Sequence, residues 1–301
     1  MHDINHLDEI RIRDVALTQN AFTKLSAGAG VKYLEVIPIS DGAIELAYGP
    51  EPWCLSFDGG DHVDVDDLAD ALASLAPTKG YVTARILPAT GLAASATIFS
   101  LSVAAGDGYL ALYLDSNYHL AATLVNAAGD AQWTLATTEA LTTAWWYNVA
   151  LVHDGVAPYL LVNGAQVPQA FSVTTDKTKW IAGVVGVDAG RVGDLRTGLA
   201  ESLWWSGKIA DVLVCNQLPG ELRRAPYAHY RCAEGTGTTL GDDVNALDGT
   251  FGAAGAAPTW AEYQAGDPLG DGIWYDDPIP NIPVWAFTAA ADQSVTVKEG
   301  F

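Results

Sequence analysis

Six aspartates fall between positions 58 and 70, at Asp58, Asp61, Asp64, Asp66, Asp67 and Asp70. Like charges crowded along one strand face repel, and a hard divalent cation with oxygen ligands relieves that repulsion. Asp58, Asp61, Asp64 and Asp66 are therefore a candidate Ca2+ ligand set, the alternative being a solvated acidic face that holds no ion. The spacing is not that of an EF-hand loop, because no glycine stands at the sixth position counted from Asp64. Asp188 with Asp194, in a loop containing Gly190 and Gly193, is a second oxygen-rich candidate.

Ten tryptophans and twelve tyrosines offer flat faces that stack on sugar rings. The same side chains fill cores equally well. Two adjacent pairs, Trp145 with Trp146 and Trp204 with Trp205, must point to opposite sides if they lie on strands, so one member of each pair faces outward. An outward tryptophan is either a glycan platform or a surface covered by a protein neighbour. His62, His119, His153 and His229 are scattered, and no Gly-x-Ser-x-Gly elbow accompanies them, so nucleophilic catalysis is not expected.

The 301 residues carry 15 Lys and Arg against 36 Asp and Glu, a formal charge of −21, while half are hydrophobic. That composition excludes a disordered chain. The negative excess repels phosphate backbones and anionic headgroups, which argues against nucleic acid and membrane surfaces as partners. Cys54, Cys215 and Cys232 are too few for a disulfide framework and lack metal-ligand spacing, so buried thiols are expected. The first residues contain early acids and no apolar core of a signal peptide, and no run reaches membrane-spanning length. A protein of this kind is expected to reach an outside surface by a route other than a cleaved leader, such as assembly into a particle released by lysis.

The elements that must position these residues are strands. Between positions 109 and 114, Leu110, Leu112 and Leu114 fall on one face and Tyr109, Ala111 and Tyr113 on the other, and the same period of two recurs at 149–152 and 159–162. Asp154-Gly155 and Asn163-Gly164 supply turn residues that tolerate positive φ. Helical spacing is confined to 66–75, through Leu68, Ala71, Leu72 and Leu75. The class is all-β, in four regions. Residues 1–50 hold strands at 10–17, 31–39 and 43–48; residues 51–225 carry the regular pattern; 226–265 are a Gly- and Ala-rich wrap; 266–301 combine a stiff proline run at 276–283 with a last strand at 294–297. That last strand needs a sheet to join, and the N-terminal strands lack partners, so the two ends are expected to pair into one small β module.

Leu55-Ser56-Phe57-Asp58-Gly59-Gly60-Asp61-His62-Val63-Asp64-Val65 resembles the opening strands of laminin-G-like jelly rolls of the concanavalin A-like lectin and glucanase superfamily. Further signatures follow in the family's order: Ile98-Phe99-Ser100, Gly108 to Leu112, Trp146 to Val152, Leu161 to Gly164, Val185-Gly186, Gly207 to Val212, and the closing turn at 218–222. The resemblance covers residues 51–225 and implies an antiparallel β-sandwich. A segment from Tyr230 to Gly237, with Asp242, Gly249 and Trp260 behind it, resembles one that often leads into such a domain; here it trails and closes the sandwich from the other end. In this family pattern Trp146 and Trp205 are inside, which leaves Trp145 and Trp204 as outward members and candidate glycan-binding residues. Val63 and Val65 face the core, with His62, Asp64 and Asp66 toward solvent. Related jelly rolls often bind Ca2+ at the sandwich edge. Glucan-cleaving relatives set two glutamates around an aspartate on one strand, but no glutamate here has an aspartate two positions later, so no enzyme activity is expected.

Residues 12–49 resemble a small β module common in tailed-phage structural proteins. Together these features imply a non-enzymatic virion component at the particle surface, a capsid decoration or fibre-associated protein. Its terminal module would anchor to capsid or tail proteins, it would self-associate as a homo-oligomer, and its jelly roll would adhere to cell-surface glycans. A bacterial glycan-binding lectin module is the alternative, and a divergent glycosidase the third reading.

Overall fold

The computed structural model describes residues 53–262 apart from positions 93, 144, 218–225 and 233, and the backbone of six strands outside that range. The turn expected at 218–222 and the proline run at 276–283 lie outside the described residues. The chain divides into two compact units, residues 53–262 and the terminal segments 1–52 with 263–301.

In the terminal unit, Ser294–Gly300 lies between Ile10–Ala16 and Tyr33–Pro38, antiparallel to both. Val284–Phe287 lies in the same way between Phe22–Ser26 and Glu45–Tyr48. Each C-terminal strand is thus central, paired on both of its edges, and gives two N-terminal strands a partner on one side. Phe22–Ser26 and Val284–Phe287 escape sequence reasoning because the first mixes polar and apolar residues on both faces and the second is apolar throughout.

The larger unit is built from two antiparallel sheets. One has nine strands, in the order Gln169–Thr174, Ala131–Ala140, His119–Val125, Tyr109–Leu114, Ala96–Ser102, Ala189–Val192, Val63–Asp64, Gly249–Phe251 and Thr239–Leu240. The other has eight, running from Ala165–Gln166 through Pro158–Val162, Tyr147–His153, Gly80–Pro88, Ser206–Cys215 and Trp53–Asp58 to Thr259–Glu262, with Ala228–Tyr230 also on Ser206–Cys215. Their alternating residues build one core in which Leu110, Leu112, Leu114, Ile98, Phe99, Trp133 and Trp205 are all fully enclosed. The Asn163-Gly164 turn has φ of 48° and 79°, the double left-handed conformation that suits a right-twisted hairpin. Gly207, at φ 128°, lets Ser206–Cys215 approach Gly80–Pro88: a Cβ there would sit 2.2 Å from the Leu87 carbonyl oxygen.

Asp66–Leu75 is the expected helix. Asp66 and Asp67 in its first turn favour the positive end of the helix dipole, and it ends where Ala76 turns left-handed and donates to the Leu72 carbonyl. Its buried face is Leu68, Ala69 and Leu72, whereas Leu75 stays exposed because the helix stops there. The Gly- and Ala-rich stretch adds strands to both sheets. Its fixed point is Asp242, whose two carboxylate oxygens accept the N–H groups of His229, Val244, Asn245 and Leu247. All three cysteines are buried thiols, as expected. Among the described residues no helix is long and apolar enough to cross a membrane.

Candidate functional site

Two chain segments meet at one acidic corner of the sandwich. The first is the short Val63–Asp64 strand with its flanks, which carries His62, Asp64 and Asp66. The second runs from Arg191 to Trp205 and contains the hairpin of Leu195–Thr197 with Ala200–Ser202. Strand pairing of Arg191 with Asp64 and Val192 with Val63 joins them. Gly193 makes the turn possible: it has φ 97°, and a Cβ on it would lie 2.4 Å from the Phe57 ring. The chain is thereby bent so that Asp194 enters the interior, where its backbone carbonyl accepts the Ser100 hydroxyl at 2.8 Å.

Arg191 is the central cation, 2% exposed. Its Nη1 lies 2.7 Å from Asp64 Oδ1 and 2.6 Å from Asp66 Oδ1, and its Nε 3.8 Å from Asp194 Oδ1. Asp66 also accepts the Gly190 N–H. The Asp64 and Asp66 charges are thus answered by a guanidinium. The other pair of expected Ca2+ ligands is a separate turn, in which Asp61 Oδ2 accepts the Asp58 N–H and Asp58 Oδ1 accepts that of Gly60. Among the described residues these four aspartates do not form one ligand group. Asp188 and Asp194 stand at opposite ends of the Ala189–Val192 strand, and Asp188 accepts the Ala104 N–H instead.

His62 departs from the expected outward position: it is buried. Its strand is flanked on both sides, and Glu201 on the hairpin and the Trp204 ring cover it. The Trp204 centroid is 5.9 Å from that of the imidazole. Nε2 of His62 is 3.6 Å from Asp64 Oδ1 and 3.9 Å from Glu201 Oε1. His62, Asp194 and Glu201 each bring one ligand-type atom to within 4.8 Å of the others. Sequence reasoning missed this trio because it weighed Asp194 with Asp188 and His62 as a solvent-facing residue; only the long-range strand pairing brings them together.

Burial pushes the Asp194 carboxyl up to about 7, against the pull of His62 and Arg191. Burial also disfavours a charged His62, yet Asp64, Asp194 and Glu201 outweigh it and its pKa is raised. Asp64 is desolvated too, but His62 and Arg191 hold it below the ordinary carboxylate value. Groups with raised folded-state values stabilise fully below their unfolded values and lose that contribution as pH rises through the folded ones. In EDTA the sandwich is therefore expected to lose stability between about pH 4 and pH 7, by at most about 4 kcal/mol from Asp194. Urea midpoints measured across this range check the trend. Asp194→Asn should flatten it, and an unchanged slope in that variant would remove Asp194 as its source.

The aromatic candidates sit at one end of the eight-stranded sheet. Tyr147–His153 and Ser206–Cys215 both pair with Gly80–Pro88, and both begin beside its last residues, Ile86 to Pro88. The two tryptophan pairs precede these strands, so they leave the sheet about two strand spacings, ~10 Å, apart. Trp146 and Trp205 are buried, and Arg85 lies over the Trp146 ring at 5.6 Å. Trp145 is 54% exposed, whereas Trp204 is half-buried against His62. Trp145 is therefore the more exposed of the two outward members.

A family model described as the concanavalin A-like lectin/glucanases superfamily matches residues 57–218. No curated protein matches the chain. Among solved structures, the Ruminococcus gnavus IT-sialidase CBM40 superposes with a TM-score of 0.49 at 19% identity, covering 56% of this chain and 92% of that one. The same module bound to alpha2,3 sialyllactose gives 0.46 at 19% identity, covering 63% and 94%. The K499G mutant of the NanB sialidase from Streptococcus pneumoniae gives 0.48 at 15% identity, covering 64% of this chain and 27% of that one. At TM-scores below 0.5 these likenesses carry no functional weight.

Proposed function

From a chain that belongs to the concanavalin A-like lectin/glucanase superfamily, we propose a non-enzymatic, lectin-like function in which the sandwich adheres to cell-surface glycans through Trp145, with Trp204 as a lesser platform. The observation that carries this reading is the contrast within one pair: Trp146 is buried while the adjacent Trp145 is 54% exposed. Burial of Trp146 and the start of the Tyr147–His153 strand fix the base of the exposed ring, so little conformational entropy is lost when a sugar stacks on it. The 21 excess negative charges favour neutral sugars over acidic ones.

The terminal unit supports a location for this activity. Its resemblance, over residues 12–49, to modules of tailed-phage structural proteins favours a capsid decoration or fibre-associated protein that anchors through the joined chain ends, self-associates and projects the sandwich from the virion. Stoichiometric copies in purified particles are expected; their absence would leave the bacterial lectin module as the reading. A glycan array probed with and without Ca2+ tests adhesion directly. Retention on at least one neutral glycan is expected, reduced at least about fivefold by Trp145→Ala and less by Trp204→Ala, since a stacked aromatic ring contributes on the order of 1–3 kcal/mol. Release of free sugar from a bound glycan would overturn the non-enzymatic reading.

A further inference from the structure

We propose that His62, Asp194 and Glu201 form a site for one divalent transition-metal ion, bound through one imidazole nitrogen and one oxygen from each carboxylate. The three ligand-type atoms already lie within 4.8 Å of one another. Asp194 is 0% exposed, and neither of its carboxylate oxygens has a hydrogen-bond partner in the protein. Buried His62 likewise has no hydrogen-bond partner at Nδ1. An enclosed carboxylate with both oxygens unanswered, beside a buried imidazole whose Nε2 lies 3.9 Å from Glu201, is what a protein avoids unless something binds there.

Arg191 does not meet this need. Its Nη1 is engaged by Asp64, Asp66 and the Gly190 carbonyl, and its Nε, 3.8 Å from Asp194, makes no hydrogen bond. The guanidinium neutralises charge around the trio while leaving the Asp194 oxygens free to coordinate. The donor types select the ion. An imidazole nitrogen with two carboxylates suits zinc or manganese, whereas Ca2+ takes six to eight oxygens and no nitrogen. Separations of up to 4.8 Å exceed the ~3.4 Å edge of a tetrahedral zinc shell, so binding draws in the one exposed ligand, Glu201, whose side chain is 39% exposed on its hairpin. That exposure also provides the entry path, and three protein ligands leave a fourth position for water or an outer ligand. The proposal is independent of the glycan reading and of the four-aspartate set expected from the sequence.

The test is calorimetric titration of the EDTA-treated, dialysed full chain with Zn2+, then Mn2+ and Ca2+. One Zn2+ per chain is expected, at least about 100-fold tighter than Ca2+. Glu201→Gln, on an exposed hairpin, should fold with an unchanged urea midpoint in EDTA and bind Zn2+ at least about tenfold more weakly; His62→Gln should do the same to affinity. Asp58→Asn, outside the trio, should bind as the wild type does. No saturable binding up to about 1 mM Zn2+, tighter binding of Ca2+ than of Zn2+, or wild-type Zn2+ affinity in both Glu201→Gln and His62→Gln would each overturn the site.

Discussion

Arg191→Met is expected to lower the unfolding free energy of the sandwich by about 1–3 kcal/mol, between an exposed and a wholly buried ion pair, because a buried cation is removed from among carboxylates that are partly exposed. Arg191 is 2% exposed and ties Asp64 and Asp66, at the start of the helix, to the strand that leads to Asp194. Methionine fills much of the same volume, so the loss reports on charge more than on a cavity. Asp64 and Asp66 would stay side by side, with His62 left beside Asp64 and the Gly190 N–H left to Asp66. In urea the midpoint should fall with an unchanged slope. Adding Asp64→Asn and Asp66→Asn to Arg191→Met should return a substantial part of the loss, since the repulsion is then gone. A cost below about 1 kcal/mol would mean that solvent already satisfies these carboxylates and that the guanidinium does not organise the corner.

The second large effect separates neighbours in sequence. Trp205→Ala and Trp146→Ala should each cost about 3–5 kcal/mol, the range for deleting a large aromatic side chain from a core. Trp145→Ala should change stability by no more than about 0.5 kcal/mol, as for a surface position without special features. Trp205 is fully enclosed between the sheets, and Trp146 is 2% exposed with Arg85 over its ring. Equal losses for Trp145→Ala and Trp146→Ala would mean that both indoles are packed and that no ring face is available to a ligand.

The parts of this molecule legible in its sequence are those written locally. Alternation of Leu110, Leu112 and Leu114 with Tyr109 and Tyr113 marks a strand because side chains on a pleated backbone alternate faces, and the Asn163-Gly164 pair marks a turn because both residues tolerate positive φ. Asp66–Leu75 shows its helical spacing openly, although the exposed Leu75 reveals that the spacing says nothing about where packing ends. The acidic corner is not local. Asp66 and Arg191 meet across 125 positions of sequence, and no periodicity carries that pairing. The aspartate-rich stretch alone therefore suggests a cation among its own carboxylates. In the fold, an arginine from a distant strand takes that role for Asp64 and Asp66, and His62 turns inward beneath the hairpin that carries Glu201. Gly193 is the residue in the sequence that marks the second segment: its left-handed conformation against Phe57 is what delivers Asp194 to the interior.

The most direct measurement of the adhesive reading is a nitrogen–proton correlation spectrum of the indole groups during titration with the strongest glycan from the array. The Trp145 indole signal should move progressively to saturation, while that of enclosed Trp205 stays in place. Saturable glycan binding that leaves the Trp145 signal unmoved would contradict the account.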